Sequence, residues 1–342
     1  MTHTRKLLFA LILMAFCIPA RAQNEEPKEL IKWLTFDKAQ ELNKTQPRPF
    51  FIDCYTDWCG WCKYMTKTTF SNPDIASYIN NYYYPVRFNA EGFDTITFMG
   101  EKYFNKSTQA RSTHDLALKM LEGKLSYPTI VYYNNDFKFK LLAPGYMSSQ
   151  EIEPFLVYTV EYVFNSLGAQ DFAVCYKRAY HPDSTFADTA TMKWNSLSKA
   201  MELNKVKPKK LLIFTGAGFC NSGKVMLGST FRQKQIVNYV TRNFYPVYFD
   251  ALSTDTIHFA GQTFTGAGNG AVHQFANYIS GGKLFLPTIS FLDSDYKLIT
   301  NVPQFMVAEA LEPVLHFIFD DSYKTVKFED YSKNFKSEFR KQ

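Results

Sequence analysis

Two cysteines separated by two residues, in Cys59-Gly60-Trp61-Cys62, are the clearest candidates for chemistry in this chain. A cysteine attacks as its thiolate, and the N-terminus of a helix lowers the pKa of a thiol placed there. An apolar run precedes the pair and Lys63 follows it, so the pattern predicts a strand that leads into a helix. Two intervening residues put Cys62 one helical turn after Cys59. We therefore predict that Cys59 is the attacking thiol and Cys62 the resolving thiol.

Two other roles are possible for such a pair of cysteines. Half of a zinc site would need a second pair of ligands, and the sequence has no other CxxC and no HxxxH. A static structural disulfide gains little chain entropy from so short a loop, which favours a redox-active dithiol.

The stretch FIDCYTDWCGWCK, residues 51–63, resembles the active site of the thioredoxin superfamily, and more closely its exported disulfide-interchange type. One departure is Trp61, where thioredoxin itself has proline. Asp53 stands six residues before Cys59, the spacing of the family's buried carboxylate. Pro128, in SYPTIVYY, matches the family's cis-proline.

The resemblance implies a set of roles around the cysteines. Asp53 is a plausible proton acceptor for Cys62, because burial raises the pKa of a carboxyl. The Tyr127-Pro128 backbone would face Cys59 and pair with an extended substrate. Trp58, Gly60 and Trp61 are expected to contact that substrate, whereas Cys54 is expected to be an inert buried thiol.

The sequence contains an internal repeat. Residues 31–104 match residues 192–265 at a constant offset of 161, with 27 identities in 74 positions. After a two-residue deletion the offset is 159, which aligns His114 with His273 and Pro128 with Pro287. A histidine kept in both copies is predicted to be structural. The pattern indicates a tandem duplication.

The second copy carries GAGFCNSGKV, residues 216–225, where the first has its cysteine pair. A phosphate-binding loop is excluded because Val225 stands where Ser or Thr must bind Mg²⁺. Cys220 keeps the attacking position, but Gly223 replaces the resolving cysteine and Phe214 replaces Asp53. We favour a degenerate module that binds or is structural. The alternatives are that Cys220 is an activated monothiol, or that it is bonded to Cys175 or to another chain.

Each copy is predicted to contain a helix from Trp33 or Trp194, a buried strand and a helix that begins at the CxxC region. Another strand, a hairpin, a short helix, a strand pair and a terminal helix follow. The expected fold class is α/β, as two tandem thioredoxin-like α/β/α sandwiches with mixed β-sheets. The expected domains are residues 28–180 and 192–340, with a linker at 181–191.

Residues 1–22 have the pattern of an export signal, with a basic start, an apolar core and an Ala20-Arg21-Ala22 cleavage site. Removing them takes 3 of the 38 basic residues and none of the 32 acidic residues, which leaves a net charge of +3. So mild a charge gives no reason to expect nucleic acid or an anionic membrane as partner. No later stretch is apolar enough to span a membrane.

We therefore expect an exported, periplasmic thiol-disulfide oxidoreductase that needs no metal or organic cofactor beyond its own disulfide. Its partners would be protein thiols or disulfides and an upstream redox partner, with the oligomeric state left open. The competing class is a non-enzymatic binding scaffold with a static CxxC disulfide. Reductases and oxidases share these residues, so the sequence leaves the direction undetermined.

Overall fold

The computed structural model of the protein describes residues 29–182, 189–337 and 339. The predicted export signal, residues 1–22, lies outside the described residues, as does most of the predicted linker. Among the described residues, no helix combines the length and apolar character that crossing a membrane requires.

The first repeat is built on a four-stranded sheet in the order β2-β1-β5-β6. β1 runs parallel to β2 and antiparallel to β5, so the sheet is mixed. β3 and β4 form a separate hairpin. The elements are α1 Phe36–Thr45, β1 Phe50–Tyr55, α2 Gly60–Thr68, α3 Pro73–Tyr82, β2 Tyr84–Asn89, β3 Ile96–Phe98, β4 Glu101–Tyr103, α4 Asp115–Met120, β5 Thr129–Tyr133, β6 Lys140–Pro144, α5 Ser149–Val160 and α6 Ala169–Tyr180.

The second repeat has the same layout, with a mixed sheet in the order β8-β7-β11-β12 and a β9–β10 hairpin. The α/β fold class predicted from the sequence is therefore confirmed. The elements are α7 Leu197–Val206, β7 Lys210–Gly216, α8 Asn221–Gly228, α9 Lys234–Asn243, β8 Phe244–Asp250, β9 Thr256–Phe259, β10 Gln262–Thr265, α10 Gln274–Ile279, β11 Thr288–Leu292, β12 Leu298–Val302, α11 Ala308–Phe319 and α12 Phe328–Asn334.

Strand β1 presents different residues to the two helical layers, because successive side chains point to opposite faces of a sheet. Phe50, Ile52 and Cys54 pack in a core with α1 and α4. Phe51 packs on the other face, in a core with α2, α3 and α5. Asp53 shares that second face, so its carboxyl lies beneath the helix that carries the cysteines.

The two repeats share one apolar core rather than meeting only at their surfaces. Phe172 on α6 of the first repeat packs edge-on against Phe305 of the second, with ring centroids 5.2 Å apart. Both belong to the cluster that contains Phe214. Helices α6 and α8 also approach closely, since a Cβ added to Gly228 would lie 2.7 Å from the Ala179 Cβ.

Three local predictions were wrong or incomplete. The first helix begins at Phe36, not Trp33, because the Thr35 side chain caps it by accepting from the Lys38 N–H. Helix α3 was missed, although Asn72-Pro73 is a common start of a helix and the Asn72 side chain caps it. The terminal helix is two helices, α5 and α6.

Candidate functional site

Cys59 and Cys62 lie at the N-terminus of α2 and are joined by a disulfide. Cys59 is the N-cap residue, and its Sγ accepts a hydrogen bond from the Cys62 N–H at 3.1 Å. Both cysteines are buried, while the intervening Gly60 and Trp61 are exposed. When the bond is reduced, a thiolate at Cys59 would sit among the free N–H groups of the first helical turn, where negative charge is stabilised.

The peptide bond between Tyr127 and Pro128 is cis, as is the bond between Leu286 and Pro287 in the second repeat. The Tyr127 ring packs edge-on against Trp58, with centroids 6.3 Å apart. The Trp58 indole N–H donates to the Glu91 carboxylate at 2.9 Å, and the Arg111 guanidinium lies over the Trp58 ring at 5.5 Å. Trp58 is therefore fixed by polar partners although its side chain is half exposed.

Three aromatic rings, those of Trp61, Tyr64 and Tyr146, form a continuous surface, here called the aromatic surface. Trp61 contacts Tyr64 and Tyr146 at centroid distances of 5.8 and 5.6 Å, and Tyr64 and Tyr146 are 5.2 Å apart. Trp61 is 62% exposed and Tyr64 48% exposed. Exposed, adjoining aromatic rings of this kind are typical of a surface that binds an apolar group.

Asp53 is buried and carries one charged partner. Burial raises the pKa of Asp53 to about 6, and the attraction of Arg87 partly opposes that rise. The Arg87 Nε lies 3.5 Å from one carboxyl oxygen, Oδ2. The other, Oδ1, has no hydrogen-bond partner among the described residues. A carboxyl with a pKa near neutrality and an uncommitted oxygen has the properties of a proton acceptor.

Arg87 also connects Asp53 to the cysteine helix. Its Nη2 donates to Thr66 Oγ1 at 2.9 Å, and Thr66 Oγ1 donates to the Cys62 carbonyl at 3.1 Å. The register of β1 and β2 pairs Asp53 directly with Arg87. The charged pair on the sheet is thus joined to the helix turn that holds Cys62.

The second repeat lacks every member of this network. Phe214 and Tyr248 occupy the positions of Asp53 and Arg87, and their rings are stacked at 6.2 Å. Leu227 replaces Thr66, and Gly223 replaces Cys62. The buried ion pair and its helix link are therefore found only in the repeat that has the disulfide.

Cys220 occupies the N-cap of α8 and is buried. Burial raises the pKa of the Cys220 thiol to about 12, and the nearby Glu161 carboxylate adds to the rise. Cys54 and Cys175 are also free thiols. Burial raises the pKa of Cys54 well above its usual value and that of Cys175 to about 11.

His114 and His273 each cap a short helix. His114 Nδ1 accepts from the Leu116 N–H at 3.0 Å, and His273 Nδ1 accepts from the Phe275 N–H at 2.9 Å. Both side chains are completely buried. The described residues contain no group of three or more His, Cys, Asp or Glu placed to hold a metal ion.

Sequence reasoning missed four residues that matter here: Arg87, Thr66, Tyr146 and Glu161. The sequence did contain a signal for two of them. Arg87 and Thr66, like Cys62, are replaced by other residue types at the equivalent positions of the second copy. Glu161 gave no such signal, since its contacts exist only after the two repeats pack together.

A family model for the thioredoxin-like domain matches residues 36–159. The comparison with curated proteins found no match. Among solved structures, the DsbH oxidoreductase is 14% identical, with 41% of this chain and 90% of that chain covered and a TM-score of 0.29. A thioredoxin-fold protein from Helicobacter pylori is 21% identical, with 46% of this chain and 91% of that chain covered and a TM-score of 0.30. ERdj5 form I is 8% identical, with 87% of this chain and 30% of that chain covered and a TM-score of 0.27.

Proposed function

We propose that this chain, whose residues 36–159 form a thioredoxin-like domain, is an exported thiol-disulfide oxidoreductase that acts through Cys59 and Cys62. The observation that carries the proposal is the Cys59–Cys62 disulfide at the N-terminus of α2. A purely structural bridge needs no such position, whereas a thiolate nucleophile gains directly from it.

The reaction is a pair of thiol-disulfide exchanges. In the reducing direction, the Cys59 thiolate attacks a substrate disulfide, forms a mixed disulfide and releases one substrate thiolate. Cys62 then loses its proton, attacks Cys59 Sγ and releases the second substrate thiol. The Cys59–Cys62 bond is thereby formed, and a partner dithiol must reduce it before the next cycle. The oxidising direction is the same sequence in reverse.

Asp53 is the proposed proton acceptor for Cys62. Its pKa of about 6 lets it hold a proton transiently near neutral pH, and its Oδ1 is uncommitted. Arg87 keeps that pKa from rising further, because its charge favours the ionised carboxyl. Arg87 is thus a positioning residue, linked to the carbonyl of Cys62 through Thr66.

The proposed substrates are polypeptides that carry a thiol or disulfide. The aromatic surface would bind an apolar side chain near the reacting cysteine, and Trp58, fixed by Glu91, would contact the same polypeptide. The backbone at Tyr127-Pro128 would pair with the extended substrate chain. We propose a periplasmic location on the basis of the signal pattern in residues 1–22.

The second repeat is proposed to be inactive in redox chemistry. It has one cysteine where two are needed, and that cysteine is a buried thiol whose pKa is raised to about 12. At pH 7 such a thiol has almost no thiolate.

Trapping of a mixed disulfide tests the proposal. Cys62→Ser, which keeps the attacking thiol, is incubated with a disulfide-containing polypeptide such as insulin, and adducts are measured by mass spectrometry. We expect a stable adduct at Cys59, because the resolving thiol is absent. The matched control, Cys59→Ser, retains the buried Cys62 and should give little adduct. No adduct with Cys62→Ser, or equal adduct with both variants, would contradict the proposal.

A further inference from the structure

Glu161, which follows helix α5 of the first repeat, reaches across to the second repeat. Its Oε1 accepts a hydrogen bond from the Asn221 N–H at 2.9 Å, and its Oε2 accepts one from the Ser222 N–H at 2.7 Å. Cys220 Sγ lies 3.7 Å from Oε2. One carboxylate from the first repeat thus engages the first turn of α8.

This turn of α8 corresponds to the turn that carries the disulfide in the first repeat. Its N–H groups have no partners within the helix, and they attract negative charge. In the first repeat, the equivalent N–H groups of Gly60 and Trp61 receive no carboxylate from any described residue. The two helix N-termini are therefore used differently, one beside an exchangeable disulfide and the other for an internal anion.

The contact with Glu161 acts on Cys220 in two ways. It contributes to burying the thiol, which is only 3% exposed. It also places the Glu161 carboxyl next to Sγ. Burial raises the pKa of that carboxyl, and the hydrogen bonds from Asn221 and Ser222 oppose the rise. In its ionised form, Glu161 adds to the effect of burial on the thiol pKa. A neighbouring anion and loss of water both oppose formation of a thiolate.

Other elements of both repeats surround this contact. Tyr78 of α3 also borders this site, in a cavity of about 1100 Å³ that Glu161 and Cys220 line as well. Beside it, α6 and α8 pack with Gly228 against Ala179. Glu161 is thus a polar contact at the edge of an extensive apolar interface.

We propose that the N-terminus of α8 is a carboxylate-binding site whose occupant is Glu161. The helix start that carries the disulfide in the first repeat thus serves, in the second repeat, as a contact between the repeats. Bound there, Glu161 fixes the two repeats relative to each other and withholds Cys220 from reagents and substrates. The inference goes beyond the proposed redox function and does not depend on it.

The test measures how fast Cys220 reacts with N-ethylmaleimide in the full-length oxidised protein, quantified on the peptide that contains it. Glu161→Gln removes the charge and keeps the shape. We expect Cys220 to react about tenfold faster, because hydrogen bonds to a charged group are worth roughly 1.4 kcal/mol or more. The control is Asp320→Asn, the exposed equivalent of Glu161 in the second repeat, which should leave the rate within about twofold. An unchanged Cys220 rate in Glu161→Gln would overturn the proposal.

Hydrogen exchange separates a local effect from unfolding. In Glu161→Gln, the amides of Asn221 and Ser222 should exchange about tenfold faster, while those of β7 and β11 stay unchanged. If this variant unfolds as a whole, Asn221→Pro takes its place, since it removes one donor N–H at the helix position that tolerates proline best. A rise of about threefold in Cys220 reactivity is then expected, and the absence of any rise would refute the proposed site.

Discussion

Replacement of the buried Asp53 by asparagine should stabilise the oxidised protein at neutral pH. Burial raises the pKa of Asp53 to about 6, whereas an aspartate in an unfolded chain has a pKa of about 3.9. The two values differ by about 2, and each pKa unit corresponds to about 1.36 kcal/mol. Ionised Asp53 therefore destabilises the fold by about 3 kcal/mol. The attraction of Arg87 is already included in this value.

The pH range of the effect follows from the sign of the shift. The folded protein binds the Asp53 proton more tightly than the unfolded chain does. The protonated carboxyl therefore stabilises the folded state, and this contribution is fully present below about pH 4. As the pH rises from about 4 to 6, the unfolded chain releases the proton first and that stabilising contribution is lost. The loss is complete above about pH 7.

Urea unfolding of the oxidised protein, followed by tryptophan fluorescence from pH 4 to pH 8, measures the effect. Relative to wild type, the free energy of unfolding of Asp53→Asn should rise by about 3 kcal/mol across this range. The cost of burying the amide does not depend on pH. It therefore changes the difference in free energy of unfolding by the same amount at every pH. The control is Asp57→Asn, which alters an exposed aspartate in the loop after β1 and removes no buried charge. A pH-independent difference for Asp53→Asn would refute the reasoning.

Three further substitutions test other parts of the site and the fold. Arg87→Met removes the cation that lowers the pKa of Asp53, so the midpoint of the pH–rate profile for disulfide reduction should move up by about one unit; an unchanged midpoint would show that Arg87 does not act on Asp53. Trp61→Ala removes the most exposed ring of the aromatic surface, so KM for a polypeptide disulfide should rise about fivefold; an unchanged KM would contradict a binding role. Gly228→Ala places a Cβ 2.7 Å from the Ala179 Cβ, so urea unfolding should show a loss of about 1–3 kcal/mol; unchanged stability would mean that α6 and α8 separate easily.

The sequence predicted what depends on local pattern. The position of the disulfide at a helix start follows from the spacing of Cys59 and Cys62 and from the apolar run before them. The common architecture of the two halves follows from their shared spacing of apolar residues, which places equivalent strands in equivalent positions.

The missing parts of the site depend on contacts that are distant in sequence. Arg87 is 34 residues from Asp53 in the chain, and only the register of β1 and β2 brings the two together. Glu161 meets Cys220 only because the end of α5 in the first repeat lies against the first turn of α8 in the second. Neither contact leaves a periodic pattern in the sequence.

The reduction potential of the Cys59–Cys62 pair tests the central claim most directly. The full-length protein is equilibrated in thiol buffers of defined potential, and the fraction reduced is read from the mass added by alkylation, with Cys220→Ser as the background. We predict a reversible two-electron couple between about −120 and −270 mV, the range of catalytic dithiols. A pair that stays oxidised below about −300 mV would be a structural disulfide and would contradict the claim.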